Sequence, residues 1–146
     1  MSVMLAMALV LSGLPAGSRQ EAEGSAPLSL VPVEVRTVVS GGYWETPQEH
    51  GIYRVIIVES GWERVTCTAF LEWIAERDET ESRQVTASLQ ITGIPAGTWS
   101  LETPCFVFGQ EGLPVTLSIA AVEPGSGEER TFRFELGIPG SYTEIP

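Results

Sequence analysis

The chain has 146 residues, with no lysine and a formal net charge of −11 from 19 acidic and eight arginine side chains. This length allows one domain. Binding to a phosphate backbone or to an anionic lipid surface requires clustered lysine or arginine, so the composition argues against nucleic acid and anionic membranes as partners.

The N-terminal residues resemble an export signal. Residues 1–14 are nearly continuously apolar, and Pro15 and small residues follow. A dozen apolar residues is typical of a signal-peptide core and too short for a bilayer span. No basic residue precedes the core, and a buried N-terminal helix of a cytosolic protein is the alternative. We predict a signal peptide and flexible leader over 1–26, a domain over 27–140, a tail over 141–146, and a periplasmic or secreted protein.

The first predicted strand lies within Leu28–Ser40, which is rich in valine. Its apolar positions change parity between Val35 and Val38, which predicts a β-bulge or a strand break near residues 36–37. We predict a loop over residues 41–50.

A central β-hairpin is predicted over residues 51–76, the longest apolar stretch outside the N-terminus. Ile52–Val58 is apolar on both faces, which indicates a strand covered on both sides. A turn over Glu59–Trp62 leads into a second strand whose alternating residues point to the core. Phe70 and Ile74 are apolar residues on its other, polar face, which indicates that this face is partly covered. The inward residues are Val65, Cys67, Ala69, Leu71 and Trp73. A short helix over residues 68–77 is the alternative.

The rest of the chain also has the two-residue periodicity of strands. After an exposed turn over residues 77–83, Gln84–Thr92 alternates, with Val85, Ala87, Leu89 and Ile91 inward. A short strand within Pro104–Phe108 follows, and then a hairpin. The hairpin strands are Val115–Ala121 and Phe132–Leu136, joined by a turn at Pro124–Gly127. We therefore predict an all-β fold, an antiparallel β-sandwich of seven or eight strands, Ig-like or prealbumin-like.

One local motif supports the sandwich. Residues Leu89–Leu101, LQITGIPAGTWSL, resemble the Gly-Leu-Pro-x-Gly-Thr-Tyr-x-Leu strand–turn–strand of prealbumin-like and Cna-B-like bacterial modules. Ile94 replaces the motif's leucine and Trp99 its tyrosine. The resemblance implies an adhesive, spacer or small-ligand-binding role, and it carries no catalytic residue over to this chain.

The two cysteines are predicted to form a disulfide. In an exported protein, a Cys67–Cys105 bond is the favoured state. The loop that this bond closes would stabilise the folded state by about 4 kcal/mol in the chain-entropy model. Two separate buried thiols are the alternative. Neither cysteine belongs to a CxxC motif, so neither zinc binding nor thioredoxin-like chemistry is expected.

Catalytic and metal-binding motifs are weak. His50 is the only histidine, and no GxSxG nucleophile elbow accompanies it. Asp78, Glu79 and Glu81 lack the alternating spacing and glycine of a calcium loop, so a solvated turn is the simpler interpretation. We predict no metal and no cofactor.

Three aromatic residues in predicted loops and turns are the candidate ligand-binding site: Tyr43, Trp44 and Trp62. Loop aromatics can stack on a sugar ring or anchor a protein partner, and capping of the sandwich ends is the alternative. We predict a binding or interaction module, not an enzyme, with a protein or carbohydrate partner in the envelope. The alternatives are a secreted hydrolase that uses glutamates or His50, and a structural component of an envelope assembly.

Overall fold

A computed structural model describes residues 31–63, 65–77, 82–95, 99–108 and 113–146. These residues are all-β, and no helix among them is long and apolar enough to cross a membrane. The strands are β1 (Val35–Glu45), β2 (His50–Ser60), β3 (Thr66–Arg77), β4 (Ser82–Gln90), β5 (Ser100–Leu101), β6 (Cys105–Val107), β7 (Val115–Val122), β8 (Glu129–Leu136) and β9 (Tyr142–Ile145). The predicted signal peptide and the acidic residues 78, 79 and 81 lie outside the described residues.

The strands form two antiparallel sheets. The first sheet has the order β1-β2-β3-β4. The second has the order β5-β7-β8-β9, and β6 pairs with another part of β7. The first sheet is a meander of consecutive strands, as are β6 to β9 of the second, and the chain passes from one sheet to the other between β4 and β5. This order differs from the Greek-key connections of Ig domains.

The central hairpin is confirmed. β2 and β3 pair continuously from Gly51–Ala75 to Ser60–Thr66, and Gly61 takes a φ of 101° in the connecting turn. The helical alternative for residues 68–77 is wrong, because these residues belong to β3. Val65 precedes the strand and is half-exposed, so it is not part of the buried core.

A single apolar core lies between the sheets. The inward residues of β2, β3, β7 and β8 are buried in it, and the hairpin of β7 and β8 is as predicted. Trp73 has no exposed surface, and the Tyr53 ring stacks on Phe106 of the second sheet at 6.4 Å. Period-two burial on the facing sides of two sheets defines a sandwich-like arrangement.

β1 differs from the prediction at its C-terminal end. The bulge near residues 36–37 is confirmed, since the register with β2 shifts between Val35 and Thr37. The loop predicted over 41–50 is shorter, residues 46–49, because β1 continues to Glu45 and β2 begins at His50. A second register shift, with Gly42 at a φ of 67°, places Trp44 opposite Gly51 and in the core.

A bulge also changes the prediction for β4. Trp73 pairs with Ala87, but the next residue, Ile74, pairs with Val85, so Thr86 is the extra residue. Its hydroxyl donates to the carbonyl oxygen of Trp73 at 3.0 Å. Because an extra residue reverses strand parity, Val85 faces away from the core, contrary to the prediction.

The segment predicted as a tail contains a strand. β9 pairs with β8, and the Tyr142 ring meets Phe134 edge-on at 5.7 Å. The Tyr142 hydroxyl accepts the amide hydrogen of Thr92 at 3.0 Å and donates to the Gln90 carbonyl at 3.2 Å. One side chain of β9 therefore links the second sheet to the end of β4.

Candidate functional site

The three predicted ligand-binding aromatics have different environments. Trp44 is only 3% exposed and donates its indole N–H to the Ile52 carbonyl at 3.1 Å, so it is a core residue and cannot contact a ligand. Tyr43 is half-exposed, with its ring 6.0 Å from that of His50. Trp62, in the turn between β2 and β3, is 97% exposed.

The two accessible aromatics do not share a surface. Tyr43 lies beside His50 at the start of β2, whereas Trp62 follows the end of this 11-residue strand. A strand of this length separates its ends by about 30 Å. The structure therefore does not bring Tyr43, Trp44 and Trp62 together in a single aromatic platform.

A cleft opens at the end of the sandwich near the connection between β2 and β3. We call it the turn cleft; its volume is about 240 Å³. It is lined by Glu59, Val65, Cys67, Trp99, Ser100 and Pro124. These residues come from both sheets and from the turns joining β2 to β3 and β7 to β8, so the cleft exists only because the two sheets pack together.

Strand geometry explains how polar groups reach this cleft. Glu59 follows the inward parity of β2 and pairs directly with Cys67 of β3. Arg36 occupies the bulge of β1, and a bulge redirects the side chain of its extra residue. The Arg36 guanidinium forms an ion pair with Glu59 and donates to the Ser100 hydroxyl at 3.3 Å.

The thiol in the cleft is suited to hydrogen bonding rather than to nucleophilic attack. Cys67 is 6% exposed, and its Sγ lies 3.6 Å from Oε1 of Glu59. Burial, together with the neighbouring carboxylate, raises the pKa of this thiol. Because the thiolate is the nucleophilic form of cysteine, Cys67 stays protonated and weakly reactive at neutral pH.

The cleft also lacks the histidine of the hydrolase alternative. His50 begins β2 and Glu59 lies near its end, so about 30 Å of strand separates them. His50 therefore cannot act as a base for Ser100 or Cys67.

The predicted disulfide is wrong. Both cysteines are free, Cys67 buried and Cys105 exposed. Cys105 pairs with Ser118 on the outward side of the second sheet, while the next residue, Phe106, pairs with the inward Leu117. Cys67 faces the space between the sheets, so the second sheet keeps the two sulfurs from the contact that a disulfide requires.

A second groove bears on the hydrolase alternative. It has a volume of about 300 Å³, and Glu102 and Glu129 both line it. Both residues are exposed, whereas a carboxyl that acts as general acid is held in a desolvated site. Among the described residues, no three metal-ligating side chains form a cluster.

Sequence reasoning missed the turn cleft. Glu59 continues the inward parity of Tyr53, Val55 and Ile57, and the predicted bulge lies at Arg36. A carboxylate on an otherwise apolar face, with an arginine at a bulge, was a usable signal. The approach of Ser100 from the other sheet had no local signal.

Comparison of the chain with known protein families, curated proteins and solved structures found no match.

Proposed function

We propose that the protein is an exported binding module and that the turn cleft is its ligand site. The observation that carries this proposal is the meeting of Glu59, Ser100 and Trp99 in one cleft between the sheets. Binding clefts combine apolar and aromatic walls with a few placed polar groups. The apolar residues 1–14, followed by a proline and small residues, support export to the periplasm or outside the cell.

The ligand group that fits this chemistry best is a single sugar ring of an envelope carbohydrate. A sugar presents an apolar ring face to an aromatic side chain and hydroxyl donors to a carboxylate. Trp99 supplies the aromatic surface, and its ring is held edge-on against Phe132 at 5.9 Å. Glu59 supplies the acceptor, already oriented by Arg36. The small volume favours one ring over an extended chain.

The local resemblance of Leu89–Leu101 to prealbumin-like and Cna-B-like modules is consistent with this role, because such modules include small-ligand binders. The motif runs from β4 in the first sheet to β5 in the second. Its Trp99 is the residue that lines the cleft.

Binding is tested by titrating the purified protein with envelope-derived mono- and oligosaccharides and following the amide signals of the cleft by NMR. We expect Glu59→Gln to weaken binding about tenfold, the effect of losing one charged hydrogen-bond acceptor. Tyr43→Ala, in β1 and beside the opposite end of β2, is the matched control and should bind normally. Equal affinity in Glu59→Gln, or signal changes confined to residues outside the cleft, would reject this site.

Export has a separate test. The protein is expressed with its native N-terminus, the cell is fractionated, and the mature N-terminus is sequenced. We expect a periplasmic or secreted protein that has lost residues up to Ala16, Ala22 or Ala26. An uncleaved chain in the cytoplasm would reject export without affecting the binding test.

The second candidate function is a structural component of an envelope assembly. It is favoured by the apolar side chains on the first sheet's outward surface, among them the exposed Val38 and Val85. The hydrolase alternative has less support, because the carboxylates that share a groove are solvent-exposed.

A further inference from the structure

The first sheet carries apolar residues on both sides. We call its surface turned away from the second sheet the outer face. Pairing places apolar residues side by side in two rows of this face: Val38, Ile56 and Phe70 in one, and Ile52, Ile74 and Val85 in the other. Ile74 is only 5% exposed although it lies outside the core cluster. The face therefore already packs part of its apolar surface.

The second sheet provides an internal comparison. On its outward side, β7 and β8 carry mainly polar residues, including Thr116, Ser118, Thr131, Arg133 and Glu135. A sheet with one solvated side alternates apolar and polar residues in this way, whereas strands that are apolar on both sides are covered on both sides. No described element covers the outer face of the first sheet. The apolar rows of this face therefore favour an additional layer, which the described residues do not supply.

The charges of the outer face are balanced in a strongly acidic chain. Arg54 pairs with Glu72 at 2.6 Å between the two apolar rows, and Arg83 pairs with Glu76 at 3.0 Å near one end. With a net charge of −11, two copies of the chain repel each other over most of their surfaces. The outer face is a surface on which this repulsion is locally cancelled.

We propose that the outer face binds the outer face of a second copy of this chain. A two-fold axis parallel to the strands, midway between β2 and β3, places each apolar row over the same row of the other copy. It also places Arg54 over Glu72 of the second copy. Each arginine therefore faces a glutamate of the other copy in addition to its partner in its own copy. The face is thus complementary to itself, as a two-fold interface requires.

The available area agrees with a weak dimer. Four strands about 4.8 Å apart and about 33 Å long present about 600 Å² per copy, or about 1,200 Å² for both. This value is at the lower limit of specific protein interfaces. We therefore expect reversible dimerisation with a dissociation constant on the order of 10 µM.

This inference does not depend on the turn cleft, and it is tested by sedimentation equilibrium of the processed protein from about 1 to about 200 µM. We expect a monomer–dimer equilibrium in the wild type. Ile56→Glu, in the middle of the outer face, should weaken it about tenfold or more because a carboxylate would be buried in the interface. Ala120→Glu, which puts the same charge on the outward side of the second sheet, is the matched control.

A charge exchange identifies the interface even if Ile56→Glu fails to fold. Arg54→Glu and Glu72→Arg each leave two like charges at the centre of the face, so each variant alone should remain monomeric. An equimolar mixture of the two should form a heterodimer, because the two glutamates of one variant then lie opposite the two arginines of the other. The double variant Arg54→Glu/Glu72→Arg should dimerise like the wild type.

Three outcomes would overturn the inference. The first is a wild type that is monomeric at every concentration, including a protein whose outer face binds only a different protein. The second is dimerisation that is lost equally in folded Ile56→Glu and Ala120→Glu. The third is a mixture of the two charge variants that stays monomeric.

Discussion

Tyr53 and Trp73 are direct cross-strand partners whose hydrogen-bond donors converge on one acceptor, the carbonyl oxygen of Gly137. The Tyr53 hydroxyl donates to it at 3.1 Å and the Trp73 indole N–H at 3.0 Å, and the two rings meet edge-on at 6.2 Å. Gly137 directly follows β8 in the opposite sheet. Two side chains of the first sheet therefore fix the point where the chain turns from β8 to β9.

The shared acceptor makes the two donors energetically coupled. We expect Tyr53→Phe to lower the free energy of unfolding by about 1 kcal/mol, since the Gly137 carbonyl keeps its bond from Trp73. Trp73→Phe costs more because it also leaves a cavity. The double variant leaves the carbonyl without either donor and should lose about 1 kcal/mol more than the sum of the single variants. Urea denaturation of the four proteins measures this coupling, and strict additivity would show that sharing the acceptor has no energetic effect.

Burial of Tyr53 also predicts a loss of stability in alkali. Burial raises the pKa of Tyr53 from 10.0 to about 12, so the unfolded chain loses this proton at lower pH than the folded protein. The stabilisation that the protonated Tyr53 hydroxyl contributes to the folded state is intact below pH 10 and disappears as pH rises toward 12. At pH 11, one unit above the unfolded pKa, it has fallen by about 1.4 kcal/mol.

The measurement compares urea unfolding of the wild type and Tyr53→Phe at pH 8 and pH 11. The wild type should lose about 1.4 kcal/mol more than the variant between these values, so its advantage of about 1 kcal/mol at pH 8 should be lost or slightly reversed at pH 11. Other groups titrate equally in both proteins and cancel. Parallel pH profiles would mean that Tyr53 titrates like an exposed tyrosine.

Local alternation was enough to predict the two hairpins, because β2, β3, β7 and β8 pair with sequence neighbours through short turns. It was not enough for the end of β1. Gly41 and Gly42 resemble loop residues in sequence. In the structure, a Cβ on Gly41 would lie 2.7 Å from Cδ2 of Phe106, so this glycine permits close packing within a strand.

The errors on β4 and in the site have different physical causes. The bulge at Thr86 reverses the parity of Val85, yet nothing in the composition of β4 marks it. The turn cleft depends on Arg36 and Ser100, which lie 64 positions apart and in different sheets. Which sheet a short strand joins is decided by packing of the whole core, so a periodicity argument could identify Glu59 as unusual but could not assemble its neighbours.

Gly51 offers a steric test of the central hairpin. A Cβ at this position would lie 1.9 Å from the carbonyl oxygen of Ile74, in the backbone of the neighbouring strand. Because backbone atoms cannot move aside without breaking the β2–β3 ladder, we expect Gly51→Ala to cost about 3 kcal/mol or more. Gly125→Ala, where no atom lies within 4 Å of the added carbon, is the control and should change stability by less than about 0.5 kcal/mol. Equal thermal unfolding midpoints for Gly51→Ala and Gly125→Ala would contradict the register between β2 and β3.

The two thiols should differ sharply in reactivity. Cys105 is exposed, whereas Cys67 is buried and burial raises its pKa. Since only the thiolate attacks alkylating reagents, we expect iodoacetamide at pH 8 to label Cys105 first and Cys67 about 100-fold more slowly, at a rate limited by local opening. Peptide mass spectrometry after timed quenching assigns each label to its cysteine.

Denaturation without reductant supplies the control for this prediction. Unfolding exposes both side chains and removes the burial that raises the pKa of Cys67, so both cysteines should then be labelled at similar rates. A Cys67–Cys105 disulfide gives a different result, with no labelling in the native or the denatured protein until reductant is added. Faster labelling of Cys67 than of Cys105 would contradict the assigned faces, because it would require Cys67 to point outward and Cys105 to lie between the sheets.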